Sequence, residues 1–244
     1  MELYDGLIAE ARALLSGAEP RRWDYVSADA WREGDGSEIV LRRDTAFELG
    51  GGGCPSANLT CVTSDEALVP RDEVLLYGGD LSEVRADTPF ARLAFLLSDG
   101  LDGGDEAAYR AIRDMEFVKY HVFPEGYMAR VSSESNREQV RVSKAAVARG
   151  ISFRAVGAAY IAGYRKKAHV RRAQLVFVTG GAAVAELLEL ARRADGVTKT
   201  LTHILEGLPA DCGACAMKSV CDSVEGMRAL HLGRGGGART DRKA

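Results

Sequence analysis

Ala173-Gln174-Leu175-Val176-Phe177-Val178 is a short apolar run that ends at Thr179-Gly180-Gly181, and a helical pattern follows it at once. Its length and its Val and Phe content predict a buried strand. The helix after it is predicted over Ala182 to Ala194, with Val184, Leu187, Leu188 and Ala191 on the inward face. A further helix is expected from about Thr198 to Leu205. Working back, Asn58 to Thr63 and Asp72 to Tyr77 read as strands separated by turn residues, with Pro70 among them. Phe90 to Leu97 is a third apolar run, read as a buried strand, although its periodicity also suits a helix. Strands therefore come first, then helices with one late strand. That order favours an α+β fold, with a mixed or antiparallel sheet and packed helices, over a regular doubly wound sheet.

Between the early strands and the late one, Asp105 is placed to cap a helix running to about His121, with Ala108, Ile112, Met115 and Lys119 or Val118 near one face. Pro124-Glu125-Gly126 breaks it, and Tyr127 to Val131 is a candidate strand. Ser143 caps a short helix over Lys144 to Arg149, with Gly150 just past its end, and Ser152 opens a longer one. Before the strands, Leu3, Leu7, Ala11 and Leu14 mark an amphipathic helix within Met1 to Gly17. Glu19 to Gly36 is a polar connection, Glu38 to Arg43 reads as a short strand, and Gly50 to Gly53 is a turn or a place of close backbone approach. The expected organisation is residues 1–36 as helix and connection, 37–207 as the α+β domain, 208–232 as a cysteine segment, and 233–244 as a disordered Gly/Arg-rich tail.

Composition fits an ordinary globular chain: 244 residues, 46% hydrophobic and 27% charged, with net charge −3. No apolar run reaches the roughly 20 residues that a membrane span needs. The first helix lacks the basic start and apolar core of a signal peptide. A cytoplasmic protein is expected, where clustered cysteines point to metal or redox chemistry more than to disulfides. Charge is uneven, because Arg130 to Arg172 holds eleven Lys or Arg against Glu134 and Glu138. Such a segment is either an anion-attracting face or a set of solvated helix faces. No nucleic-acid motif accompanies it. The four histidines are scattered, and no serine stands in a nucleophile-elbow pattern.

Three of the five cysteines, Cys212, Cys215 and Cys221, fall within ten residues behind Leu208-Pro209. Thiolates at this spacing suit zinc or an iron–sulfur cluster, since one bent loop can turn several sulfurs inward. A fourth ligand must come from elsewhere, with Cys54, Cys61 and His231 as candidates. Cys54 is favoured because the glycines beside it let backbone approach a bulky cluster.

Several segments taken together resemble the central part of the beta subunit of the carbon monoxide dehydrogenase/acetyl-CoA synthase complex. They are Gly51-Gly52-Gly53-Cys54-Pro55, Asp72-Glu73-Val74 through Gly79-Asp80-Leu81, Met115-Glu116-Phe117-Val118-Lys119-Tyr120, Asn136-Arg137 with Arg141-Val142-Ser143-Lys144, the late strand and the Cys-x-x-Cys loop. The shared order covers roughly Glu38 to Cys221. The resemblance implies a 4Fe-4S cluster on Cys212, Cys215 and Cys221. It also implies coenzyme A contacts at Arg137, Arg141 and Lys144, and partners such as a corrinoid protein, a ferredoxin or a dehydrogenase subunit. The family's N-terminal domain and its C-terminal nickel domain have no counterpart, and no Cys-x-Cys occurs, so nickel is not expected in this chain alone. Where the family carries an aromatic residue before Arg-x-Ser-Lys, this chain has Gln139. Three functions are compatible: an iron–sulfur protein for electron transfer, substrate binding or an accessory role; an acyltransferase component acting with a partner; or a non-catalytic assembly module with structural zinc.

Overall fold

The apolar runs form one mixed sheet in the computed structural model, which describes residues 3–34, 39–101, 105–181 and 183–205. In chain order the elements are α1 (Asp5–Leu15), β1 (Arg21–Asp24), β2 (Thr45–Leu49), β3 (Ser56–Thr63), β4 (Glu73–Tyr77), β5 (Phe90–Ser98), α2 (Asp105–Phe117), β6 (Tyr127–Val131), β7 (Glu138–Ser143), α3 (Lys144–Ala148), α4 (Phe153–Arg165), β8 (Val170–Thr179) and α5 (Ala183–Leu205). Five strands make the large sheet, in the order β1-β4-β8-β5-β3, and β2-β7-β6 make a small antiparallel one. The fold is α+β. In the large sheet β3 runs parallel to β5 and β4 parallel to β8, whereas β5 and β8 are antiparallel.

Side-chain alternation divides the large sheet into two buried faces. Arg92 pairs in register with Phe177, and Phe95 with Gln174, so these two pairs point to opposite sides. On the Phe177 side α4 packs: Phe153 lies 4.6 Å from Phe177 between ring centroids, and Gly157 sits against Val74 and Phe177. On the Gln174 side lie α1 and its neighbour α5, with Arg12 reaching Gln174 and Glu10 pairing with Arg193 at 2.6 Å. Both faces being covered explains why β3 and β5 are buried at every position and read as continuous apolar runs.

Several expectations are corrected. Glu38 to Arg43 is not a strand in its described part: Ile39 and Leu41 are exposed, and a 3-10 turn covers Arg42–Asp44. The strand is β2, just after it, which pairs with β7. β1 lies inside what read as a polar connection; its short, mostly exposed edge carries no apolar alternation. The two helices expected after the late strand are one, α5, because Leu190, Ala191, Ala194 and Val197 stay buried through Gly196. That continuous buried face outweighs the roughly 1 kcal/mol that a helical glycine costs. Leu14 faces solvent, with Ile8 and Leu15 taking the inward positions beside Leu7 and Ala11. The cap expected from Asp105, and the segments 208–232 and 233–244, lie outside the described side chains and residues.

Candidate functional site

The last turns of α2 build one wall of a cleft. Ala108, Ala111, Ile112, Met115 and Val118 turn inward and are buried. Helical spacing then puts Arg113, Glu116, Phe117 and Tyr120 on a second stripe. Asp195, Thr198 and Lys199, spaced i, i+3, i+4 on α5, form the facing wall, and Val131, Ser133 and Asn136 of the β6–β7 hairpin close one end. The cleft has a volume of about 390 Å³. A second cleft of about 320 Å³ lies beside Arg12 and Glu73, but Glu73 is already held by Arg22 at 2.5 Å and Gln174 at 2.6 Å. The first cleft keeps uncommitted polar groups and is the candidate site.

Glu116 and Lys119 are its chemical centre. Their side chains are 19% and 9% exposed, and the ammonium stands 3.8 Å from the carboxylate, longer than a hydrogen bond. Burial raises the Glu116 carboxyl above the usual range; Lys119 and Arg113 pull it down and Asp195 pushes it up. Burial, with Glu116 and Asp195, also raises the neighbouring Tyr120 hydroxyl. Asp195 itself pairs with Lys199 at 2.6 Å. Arg113 lies over the rings of Phe117 and Tyr109 at 5.5 and 5.9 Å. A carboxyl with a raised pKa beside a sheltered ammonium can exchange a proton with a bound molecule or hold its charged end.

Asn136 ties this cleft to the interior. Its φ of +53° is left-handed, a conformation that Asn tolerates better than most residues. Its amide N–H donates to the Ser132 carbonyl, and its own carbonyl accepts from the Asn58 N–H at 2.8 Å. Its side-chain nitrogen is buried without a partner. Behind it, Asn58 donates to Glu138 at 2.8 Å, and Arg92 Nε reaches both Glu138 oxygens at 3.0 Å. The Arg92 guanidinium stacks over the Tyr160 ring at 3.9 Å. Burial opposes the Arg92 charge, but Glu138 overrides it and the guanidinium is held firmly protonated. This buried pair joins the small sheet to the large one.

Of the residues expected to hold coenzyme A, Arg137 lies just before β7, Arg141 within it and Lys144 at the start of α3, and none of the three lines the cleft. Arg137 donates to the Cys54 carbonyl at 2.7 Å, Arg141 pairs across strands with Glu48 at 2.6 Å, and Lys144 donates to the Arg43 carbonyl at 3.0 Å. The basic segment around them is largely neutralised by acids from other parts of the chain: Arg149 by Glu125, Arg154 by Asp29, Arg165 by Asp72, Lys166 by Glu33, Lys167 by Asp114, Arg171 by Asp99 and Arg172 by Glu66. Of its two readings, solvated faces describe these residues better than an open anion surface.

Cys54 is half-buried in the glycine turn before β3, and Cys61 is fully buried within that strand. Seven residues of largely extended chain separate them by roughly 20 Å, so they do not share a site. Burial, with Glu116 and Asp5 nearby, pushes the Cys61 thiol up and disfavours the thiolate that a metal needs. Among the described residues no group of three or more His, Cys, Asp or Glu is arranged around a metal position. Cys212, Cys215, Cys221 and His231 lie outside the described residues. No helix among the described residues is long and apolar enough to cross a membrane. From the sequence, Glu116 and Tyr120 have no role beyond the resemblance, and Lys119 falls with Val118 near the inward face. The signal for the first two is the stripe Arg113, Glu116, Phe117 and Tyr120 at helical spacing, and for Lys119 a charge on the buried side. A scan of family models finds no match to the chain, and a search of curated proteins finds none either.

Proposed function

We propose that the protein carries an iron–sulfur cluster on Cys212, Cys215 and Cys221, on a scaffold similar to the central region of the acetyl-CoA synthase subunit. It acts in electron transfer, in substrate binding or as an accessory component. The observation that carries the reading is the three thiols within ten residues, a donor set soft enough for iron–sulfur or zinc and too dense for chance core cysteines. The sequence runs into that segment from α5, which is fixed to α1 by the Glu10–Arg193 pair and by the Tyr4–Thr198 hydrogen bond at 3.0 Å. Cys54 is the candidate fourth ligand; Gly52 and Gly53 beside it adopt left-handed φ, and Gly53 has open space around it. When bound, such a cluster supplies one-electron chemistry if fully ligated, or an open iron for substrate if held by three thiolates.

The test is purification without oxygen, followed by iron, sulfide, nickel and zinc analysis of the wild type and a Cys212→Ser/Cys215→Ser variant. Iron and acid-labile sulfide in the wild type and their loss in the variant are expected. Zinc without sulfide moves the reading to a structural site, and wild type free of all these metals refutes it. The second reading, an acyltransferase component using coenzyme A with a partner subunit, draws on Arg137, Arg141 and Lys144. It requires Arg141 to exchange Glu48 for a phosphate. Titration of coenzyme A should then show weaker binding to Arg141→Ala; no binding by the wild type removes this reading.

A further inference from the structure

We propose that the cleft between α2 and α5 binds a small monocarboxylate with a short apolar or aromatic body, its charged end held by Lys119 and Arg113 next to the Glu116 carboxyl. The charge balance on the cleft walls points to one negative charge. Asp195 and Lys199 satisfy each other at 2.6 Å. Glu116 is then the single carboxylate between two cations, and its distance from Lys119, 3.8 Å, leaves both groups with unused hydrogen-bonding capacity. The surplus cation is Arg113, exposed beside the cleft, and it adds its attraction for an anion to that of the sheltered Lys119. A monoanion balances it. A phosphate dianion overshoots by one charge and is repelled by Glu116 and Asp195.

The rest of the cleft suits the remainder of such a molecule. Phe117 is 45% exposed although large and apolar, and it meets Tyr120 edge-on with ring centroids 6.2 Å apart, which leaves an apolar patch beside the charged groups. About 390 Å³ is room for roughly a dozen water-sized groups, at the small end of ligand pockets. At the hairpin end Asn136 lines the cleft, and its buried side-chain nitrogen has no acceptor in the protein. Backbone hydrogen bonds to Ser132 and Asn58 fix Asn136 there.

The proposal does not rest on the iron–sulfur reading, because the titration is scored on these helices whether or not the preparation contains metal. Calorimetric titration of the full chain with acetate, propionate, butyrate, benzoate and inorganic phosphate tests it. Saturable binding of at least one of the four carboxylates is expected, with no binding of phosphate. Lys119→Met should weaken it about tenfold or more, the loss of one charge-assisted hydrogen bond. If Lys119→Met does not fold, Arg113→Gln, at an exposed position, takes its place. Failure of every carboxylate to saturate the wild type, binding of phosphate instead, or unchanged affinity in the folded Lys119→Met or Arg113→Gln protein would overturn the proposal.

Discussion

Arg92 and Glu138 show what one pair of residues can decide. Their side chains are 1% and 0% exposed, and the pair spans 46 positions in sequence. Removing one partner leaves a buried charge uncompensated, which costs about 3–5 kcal/mol. Glu138→Leu should therefore lower stability by about that amount in urea unfolding, and Arg92→Met similarly. The double variant should lose much less than the two losses added, since neither charge is then stranded. Strict additivity would show that the pair is not coupled. Little of this was legible beforehand. Arg92 stands inside Phe-Ala-Arg-Leu-Ala-Phe-Leu-Leu, where a single charge hardly disturbs an apolar run, and nothing local names a partner on another sheet. Ser143 and Ser152 were legible, because a cap acts within three residues: their hydroxyls accept from Ala146 and Ala155.

Elements whose stability is local, or whose burial is complete, could be read; those defined by a distant partner could not. β3 and β5 declared themselves by uninterrupted burial, and β4 and β8 by buried runs over 73–76 and 173–179. β7 did not, although Glu138, Val140 and Val142 alternate inward with Gln139 and Arg141, because its inward face begins with a glutamate. The packing of α4 was likewise invisible, and it rests on a missing side chain. A Cβ added at Gly157 would stand 2.6 and 2.7 Å from the two methyls of Val74. Gly157→Ala should destabilise by about 1–3 kcal/mol despite its better helix propensity, and Val74→Ala introduced with it should restore part of the loss. A stabilised single variant in urea unfolding would contradict this packing. On the other side of the sheet, hydrogen bonds from Arg193 hold the Glu10 carboxyl below its ordinary 4.5. A folded pKa below the unfolded one stabilises above the unfolded value and fades as pH falls through the folded value. The urea midpoint of wild type should exceed that of Glu10→Gln at neutral pH, and the gap should close in acid. A gap independent of pH would place the effect outside this ion pair.

Across the whole molecule, two sheets of unequal security meet at one seam. β5 and β8 have strands on both sides and helices on both faces, whereas the small sheet reaches the large one through Glu138, Asn58 and the hairpin tip. Amide exchange followed by mass spectrometry should find β5 and β8 opening only with global unfolding, and β6 and β7 opening at lower free energy. Equal protection in both sheets would refute this ranking. The fold class was readable at this scale because the order of apolar runs survives any error in their pairing. The candidate site was not, since α2, α5 and the hairpin converge only after the sheet has formed.

That seam also governs how copies of the chain treat one another. β3 is the last strand of the large sheet, yet all eight of its residues are buried, with the hairpin tip bonded to its Asn58 amide. Natural edge strands are usually blunted by charge or proline; Ser-Ala-Asn-Leu-Thr-Cys-Val-Thr carries neither, and relies on being covered. Each opening of the hairpin thus bares a flat, uncharged template for cross-chain pairing. Aggregation during expression or refolding should begin there, well before the molecule as a whole comes apart.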